Sequence, residues 1–166
     1  MQPFVLTLHL MKVMHTLVDF SQPEVTSLDA LSKSKGTSQK HMPHTLLLID
    51  DNAIQAATRQ AILQRAGYFV IAVLNPKRAL DQLRNNEYPA HIDLIITDHL
   101  MPGMTGSEFV ASLRAFSPTI PVLVISGLAE AEDEYQALSV EFRLKPLLPN
   151  LLLDRVQHLV ESNSSL

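Results

Sequence analysis

From Thr45 onward, short apolar runs alternate with longer amphipathic stretches, and the pattern repeats five times. Thr45 to Asp50 carries Leu46, Leu47, Leu48 and Ile49 without a polar break and closes on an acid. A run that short, apolar at every position, is the mark of a strand covered on both faces. Asn52 to Ala66 has apolar positions at Ile54, Ala57, Ala61 and Ile62, which predict a helix, and Gly67 supplies its stop. Tyr68 to Val73 reads as the second strand, and Pro76 to Asn85 as the second helix, with proline in the first turn where its missing N–H costs nothing. Asp93 to Thr97 is the third strand, running into Asp98, and Thr105 to Phe116 the third helix. Ile120 to Ile125 is the fourth strand, ending at Ser126, and Ala129 to Leu138 an acidic, short fourth helix. Val140 to Leu144 is the fifth strand, ending at Lys145, and Leu151 to Val160 lies in the fifth helix.

Strands and helices in strict alternation predict an α/β domain: a parallel sheet with helices on both faces. In such sheets functional groups gather outside the carboxyl ends of the strands. The polar residues at those ends are Asp50, Asp51, Asp98, Ser126 and Lys145.

Before residue 45 the pattern is lost. Residues 21–44 are rich in Ser, Thr, Pro, Gln and Lys and read as a linker. Pro3 to Phe20 reads equally as a short helix or a strand; it is either an appended N-terminus, with Met42 the true start, or a docking or dimerising segment. Charge changes at the same place. Residues 1–44 hold four Lys against three acids, a balance of +1, and the remainder nine Lys or Arg against fourteen acids, a balance of -5. The division expected is therefore an extension and linker over 1–44, poorly ordered, and a folded domain over 45–163.

Composition removes several functions. There is no cysteine, hence no disulfide scaffold, thiol chemistry or cysteine-bound zinc. His9, Lys12 and His15 interrupt the apolar N-terminal run, so neither a membrane helix nor a signal peptide is expected, and the compartment expected is the cytoplasm. No clustered basic face suggests nucleic acid.

Three carboxylates, a hydroxyl and an ammonium at one sheet edge are costly unless something pairs them. A hard divalent cation answers the acids; the ammonium and hydroxyl suit a group with several anionic oxygens, which points to phosphoryl chemistry with a carboxylate as nucleophile. The segments Asp50-Asp51, Thr97 to Gly106 (TDHLMPGMTG), Ile125-Ser126-Gly127 and Leu144-Lys145-Pro146 together resemble the signature of response-regulator receiver domains over about residues 44–163.

That resemblance implies a doubly wound, flavodoxin-like sheet of five parallel strands in the order 2-1-3-4-5. It implies Asp98 as phosphoacceptor, and Mg²⁺ or Mn²⁺ held by Asp51 and Asp98, by Asp50 mainly through water, and by the backbone carbonyl of Leu100. Ser126 would bond a phosphoryl oxygen, and Lys145 would pair with Asp98 before transfer and with the phosphoryl group after it. The Lys145-Pro146 bond would be cis. Phe142 stands where the family's switch aromatic packs as Ser126 moves inward; plain core packing is its simpler role. The implied donor is a histidine kinase or a histidine phosphotransfer protein. The implied output is protein contact through the fourth helix, fifth strand and fifth helix, with homodimerisation on phosphorylation a further expectation. No output domain follows in this sequence, so a stand-alone receiver, or one detached from a hybrid kinase, is expected.

Leu100 and Leu128 are apolar at two positions that orient attacking water in the family, which predicts slow self-dephosphorylation. His99 is expected at the rim of the site, Met101 and Met104 beneath its loop, and the acids Glu130, Glu132, Asp133 and Glu134 on a solvated helix face. His9, His15, His41 and His44 lack metal-ligand spacing. The alternatives are a Mg²⁺-dependent phosphohydrolase with an aspartate nucleophile, disfavoured because Leu100 stands where a second acid is usual, and a receiver-like module that binds partners without phosphorylation.

Overall fold

The computed structural model of the chain describes residues 43–163. The expectations for Pro3–Phe20 and most of the linker, and for His9, His15 and His41, lie outside the described residues.

The elements run β1 (Thr45–Ile49), α1 (Ala53–Arg65), β2 (Phe69–Val73), α2 (Pro76–Arg84), β3 (Leu94–Asp98), α3 (Gly106–Arg114), β4 (Val122–Ser126), a 3-10 segment (Ala129–Tyr135), β5 (Glu141–Leu144) and α4 (Pro149–Asn163). One parallel sheet has the order β2-β1-β3-β4-β5, as expected. Its alternation splits the core in two. Leu46, Leu48, Ile96, Leu123 and Ile125 pack under Ala56, Leu63, Leu152 and Val156 of α1 and α4. Leu47, Ile49, Ile95, Val124 and Phe142 pack on the other face, under Ala79, Phe109, Val110 and Leu113 of α2 and α3. The central strands β1, β3 and β4 are buried at every position, which is why they read as unbroken apolar runs.

Helix starts are set by side chains that accept the free first-turn N–H groups. Asn52 accepts from Ile54 and Gln55, and Asn75 from Arg78. Thr105 and Glu108 form a reciprocal capping box that starts α3.

α1 forms where the apolar positions predict it, but they are not its buried face: Ile62 is half-buried against the core, Ala56 and Leu63 are buried, and Ile54 is 80% exposed. One expectation is corrected: the predicted fourth α-helix is absent. Ala129–Tyr135 forms 3-10 turns with only Ala131 and Tyr135 buried. No side chain caps its start. Glu130 and Glu134 stand four apart, a like-charge spacing that opposes an α-helix.

Candidate functional site

The carboxyl ends of β1, β3, β4 and β5 deliver the expected residues to one place. Asp50 follows β1 and is fully buried, whereas Asp51 beside it is exposed. Asp98 ends β3, Ser126 ends β4 and Lys145 follows β5. The Lys145-Pro146 bond is cis, and the Lys145 N–H donates to the Ser126 carbonyl at 2.7 Å.

Lys145 Nζ lies 2.5 Å from Asp98 Oδ2, while the His99 N–H donates to Asp98 Oδ1 at 2.8 Å. Both oxygens of Asp98 therefore have a donor, and the carboxylate is fixed in orientation. Carboxylate oxygens from Asp50, Asp51 and Asp98 lie within 4.8 Å of one another. This is a hard-oxygen donor set, and with Asp51 exposed it is open to water, so it fits Mg²⁺ or Mn²⁺, which keep several water ligands. The Leu100 side chain, two residues beyond Asp98, is half-exposed. The Ser126 hydroxyl is buried and faces its own loop: it accepts the Leu128 N–H at 3.0 Å and donates to the Leu128 carbonyl at 3.2 Å.

Two site residues were missed by sequence reasoning. Arg59 is ion-paired to Asp50 Oδ2, with 15% of its side chain exposed. The other Asp50 oxygen accepts the Asn52 N–H at 2.9 Å. Burial pushes the Asp50 pKa up, and the Asn52 N–H and the Arg59 guanidinium pull it back. Gln55 Oε1 accepts from both Arg59 Nη2 and Lys145 Nζ, each at 3.2 Å. A continuous polar chain thus runs Asp50, Arg59, Gln55, Lys145, Asp98. The signal was present in the sequence: Gln55 and Arg59 stand four apart on α1, one helical stripe, within two turns of the acidic pair.

His99 is corrected from rim to interior. It is 3% exposed, because the strand direction that turns Asp98 toward the acids turns its neighbour to the other side. Its Nδ1 is hydrogen-bonded to the Tyr135 hydroxyl at 2.9 Å. The Tyr135 ring sits 5.8 Å from the His99 ring and 5.6 Å from that of Phe142. Burial pushes the Tyr135 phenol up, which keeps it a neutral hydrogen-bonding group. Phe142 lies in the core. Met101 is buried and Met104 packs against the same core. Glu134 bonds Ser107 at the start of α3, so one of the acids is tied down rather than simply solvated. His44 lies 3.7 Å from Asp93.

Comparison with known proteins supplies an independent line. Residues 46–157 match the family model described as response regulator receiver domain. The two-component response regulator ORR5 of Oryza sativa subsp. japonica is 32% identical over 73% of this chain and 91% of its own length. The two-component response regulator ARR21 of Arabidopsis thaliana is 35% identical over 63% of this chain, which spans only 17% of that protein. The structure of the chemotaxis response regulator CheY4 of Vibrio cholerae superposes with a TM-score of 0.63 at 30% identity, covering 71% of this chain and 99% of that one. With the sheet order, the acidic cluster and the lysine already in place, these matches settle the family: the chain belongs to the response regulator receiver domains of two-component signalling.

Proposed function

We propose that this receiver is a phosphorylation-dependent switch that takes a phosphoryl group from a phosphohistidine onto Asp98 and signals by protein contact. The observation that carries the reading is the Lys145 ammonium 2.5 Å from Asp98 Oδ2, beside three converging carboxylates. An isolated strand-end acid would be solvated; this one is aimed and has its charge partners in place.

Asp50, Asp51 and Asp98, with the Leu100 carbonyl, are the residues that would hold Mg²⁺ or Mn²⁺. The ion supplies charge neutralisation of the phosphoryl oxygens. Asp98 acts as nucleophile: a new P–O bond forms to its carboxylate as the donor's P–N bond breaks, and the leaving imidazole keeps the electron pair and takes up a proton. Lys145 first orients Asp98 and then moves its ammonium to a phosphoryl oxygen. Ser126 exchanges its bonds to Leu128 for one to the phosphoryl group, drawing the loop after β4 inward. Phe142 and Tyr135 pack beside that loop's continuation and would repack with it.

The donor is a histidine kinase or a histidine phosphotransfer protein, and the setting is cytoplasmic. Among the described residues no helix is long and apolar enough to cross a membrane. The output face is formed by the 3-10 segment, β5 and α4, in place of the expected fourth helix, fifth strand and fifth helix. A cavity of about 830 Å³ opens there, lined by residues that include Arg114, Tyr135, Val140, Phe142 and Arg143.

The test is incubation with acetyl phosphate and Mg²⁺, followed by intact mass. Wild type should gain one phosphoryl group and Asp98→Asn none. Continued turnover of a phosphate ester would favour the hydrolase reading, and no gain by either chain the phosphorylation-independent one. Because the side chains of Leu100 and Leu128 carry no polar atom to hold a water, the added group should persist for many minutes after the donor is removed; loss within seconds would sink that part of the reading.

A further inference from the structure

The receiver reading needs the acids and Lys145 but assigns nothing to Arg59. We propose that Arg59 is a resident cation of the phosphoryl site, which weakens metal binding before phosphorylation and favours the phosphoryl-bearing state afterwards.

The geometry gives Arg59 a position no surface arginine has. Its partner Asp50 is fully buried, and the two oxygens of Asp50 are taken by Arg59 and by the Asn52 N–H. An arriving divalent ion therefore shares Asp50 with a guanidinium that is already bound. Arg59 also donates to Gln55, which accepts from Lys145, so both cations of the site are held in register from α1.

Charge decides the sign of the effect. Three carboxylates against Arg59 and Lys145 leave one net negative charge. A divalent ion turns that into one net positive charge, an excess that opposes its uptake. Phosphorylation replaces the single charge of Asp98 by about two, and the metal-bound, phosphorylated site comes to roughly zero. Without Arg59 the preference reverses: the unphosphorylated, metal-bound site is neutral and the phosphorylated one is left negative. At this degree of burial, one unit of charge is felt strongly.

This inference depends on the receiver reading, and the experiment separates the two. Mn²⁺ binding at pH 8, where carboxylates are ionised, is measured by electron paramagnetic resonance for wild type, Arg59→Met and Arg59→Lys. Beryllofluoride, a stand-in for the phosphoryl group on an aspartate, is then titrated at saturating Mg²⁺. Arg59→Met should bind Mn²⁺ about five-fold more tightly and beryllofluoride about five-fold more weakly. Arg59→Lys, which keeps the charge, should stay near wild type in both. A residue that merely shaped the site would weaken both ligands together. If Arg59→Met binds Mn²⁺ no more tightly than wild type, the inference is overturned with the receiver reading intact. If wild type binds neither probe, the proposed phosphoryl-acceptor function itself fails. Should Arg59→Met not fold, Arg59→Gln carries the same two expectations.

Discussion

Two regions that flank Asp98 are built in different ways. The floor of the site is made of strand ends: Asp50, Asp98, Ser126 and Lys145 each leave or follow a strand of one continuous parallel sheet. Their places follow from backbone pairing, and an error of a residue in a strand boundary does not move them. The flank between β4 and β5 has no such frame. Its 3-10 segment is held by individual side chains, chiefly Tyr135 on His99 and Arg114 on the backbone before β5. Regular hydrogen bonding fixes the chemistry, and single side-chain bonds fix the surface that would report it. The flank is therefore free to depart from an α-helix without disturbing the acids.

The two regions meet at Gly106, and the largest effect is expected there. A Cβ at this position would lie 2.6 Å from the Asp98 carbonyl, 2.6 Å from the Tyr135 hydroxyl and 2.9 Å from the His99 Cα. Two of these neighbours are backbone of the site and cannot step aside. Gly106→Ala should lower stability by about 3 kcal/mol, read from the urea midpoint. A loss well under 1 kcal/mol would mean that floor and flank are not in close contact, and the comparison would lose its hinge.

Arg114 tests the flank alone. Its guanidinium donates to the carbonyls of Leu138 at 2.8 Å, Ser139 at 2.9 Å, Ile120 at 2.8 Å and Ser117 at 3.3 Å. It thereby joins the end of α3 to the chain entering β4 and β5, where Ser139 holds a positive φ of 51°. Arg114→Met keeps the stem and removes the donors. The expected cost is about 2 kcal/mol, since part-buried carbonyls regain only some of these bonds from water. Amide exchange should quicken at residues 138–141 and stay slow in β1. Equal loosening of β1 would show that the two regions are one cooperative unit.

The same contrast explains what the sequence disclosed. The sheet and the five strand-end residues were legible because buried parallel strands leave unbroken apolar runs that stop at polar residues. The resemblance added the strand order and the roles, which no periodicity contains. The flank was not legible. Ala129–Leu138 has helix-forming residues, and what defeats the helix is like charge at Glu130 and Glu134 together with a distant arginine holding Leu138 and Ser139. His99 was misplaced for a related reason, since its partner Tyr135 lies 36 residues away. Arg59 and Gln55 left no mark in the apolar pattern of α1, because the stripe that faces the site is polar.

The smallest effect expected is also the most discriminating. Tyr135→Phe removes one hydroxyl and leaves the ring between His99 and Phe142, so apolar packing is unchanged. His99 Nδ1 loses its partner in a buried position, which costs about 1 kcal/mol. The same change clears one of the three atoms that would crowd a Cβ at residue 106. Combined with Gly106→Ala, it should therefore cost less than the two losses added, by about 1 kcal/mol in a double-mutant cycle. The Asp98 carbonyl still blocks the Cβ, so the rescue stays partial. Additive losses would place the whole clash on the floor of the site and leave the flank a bystander. A complete rescue would place it on Tyr135 and show that the backbone around Asp98 gives way. Only the intermediate result fits a rigid floor with a side-chain-held flank pressed against it.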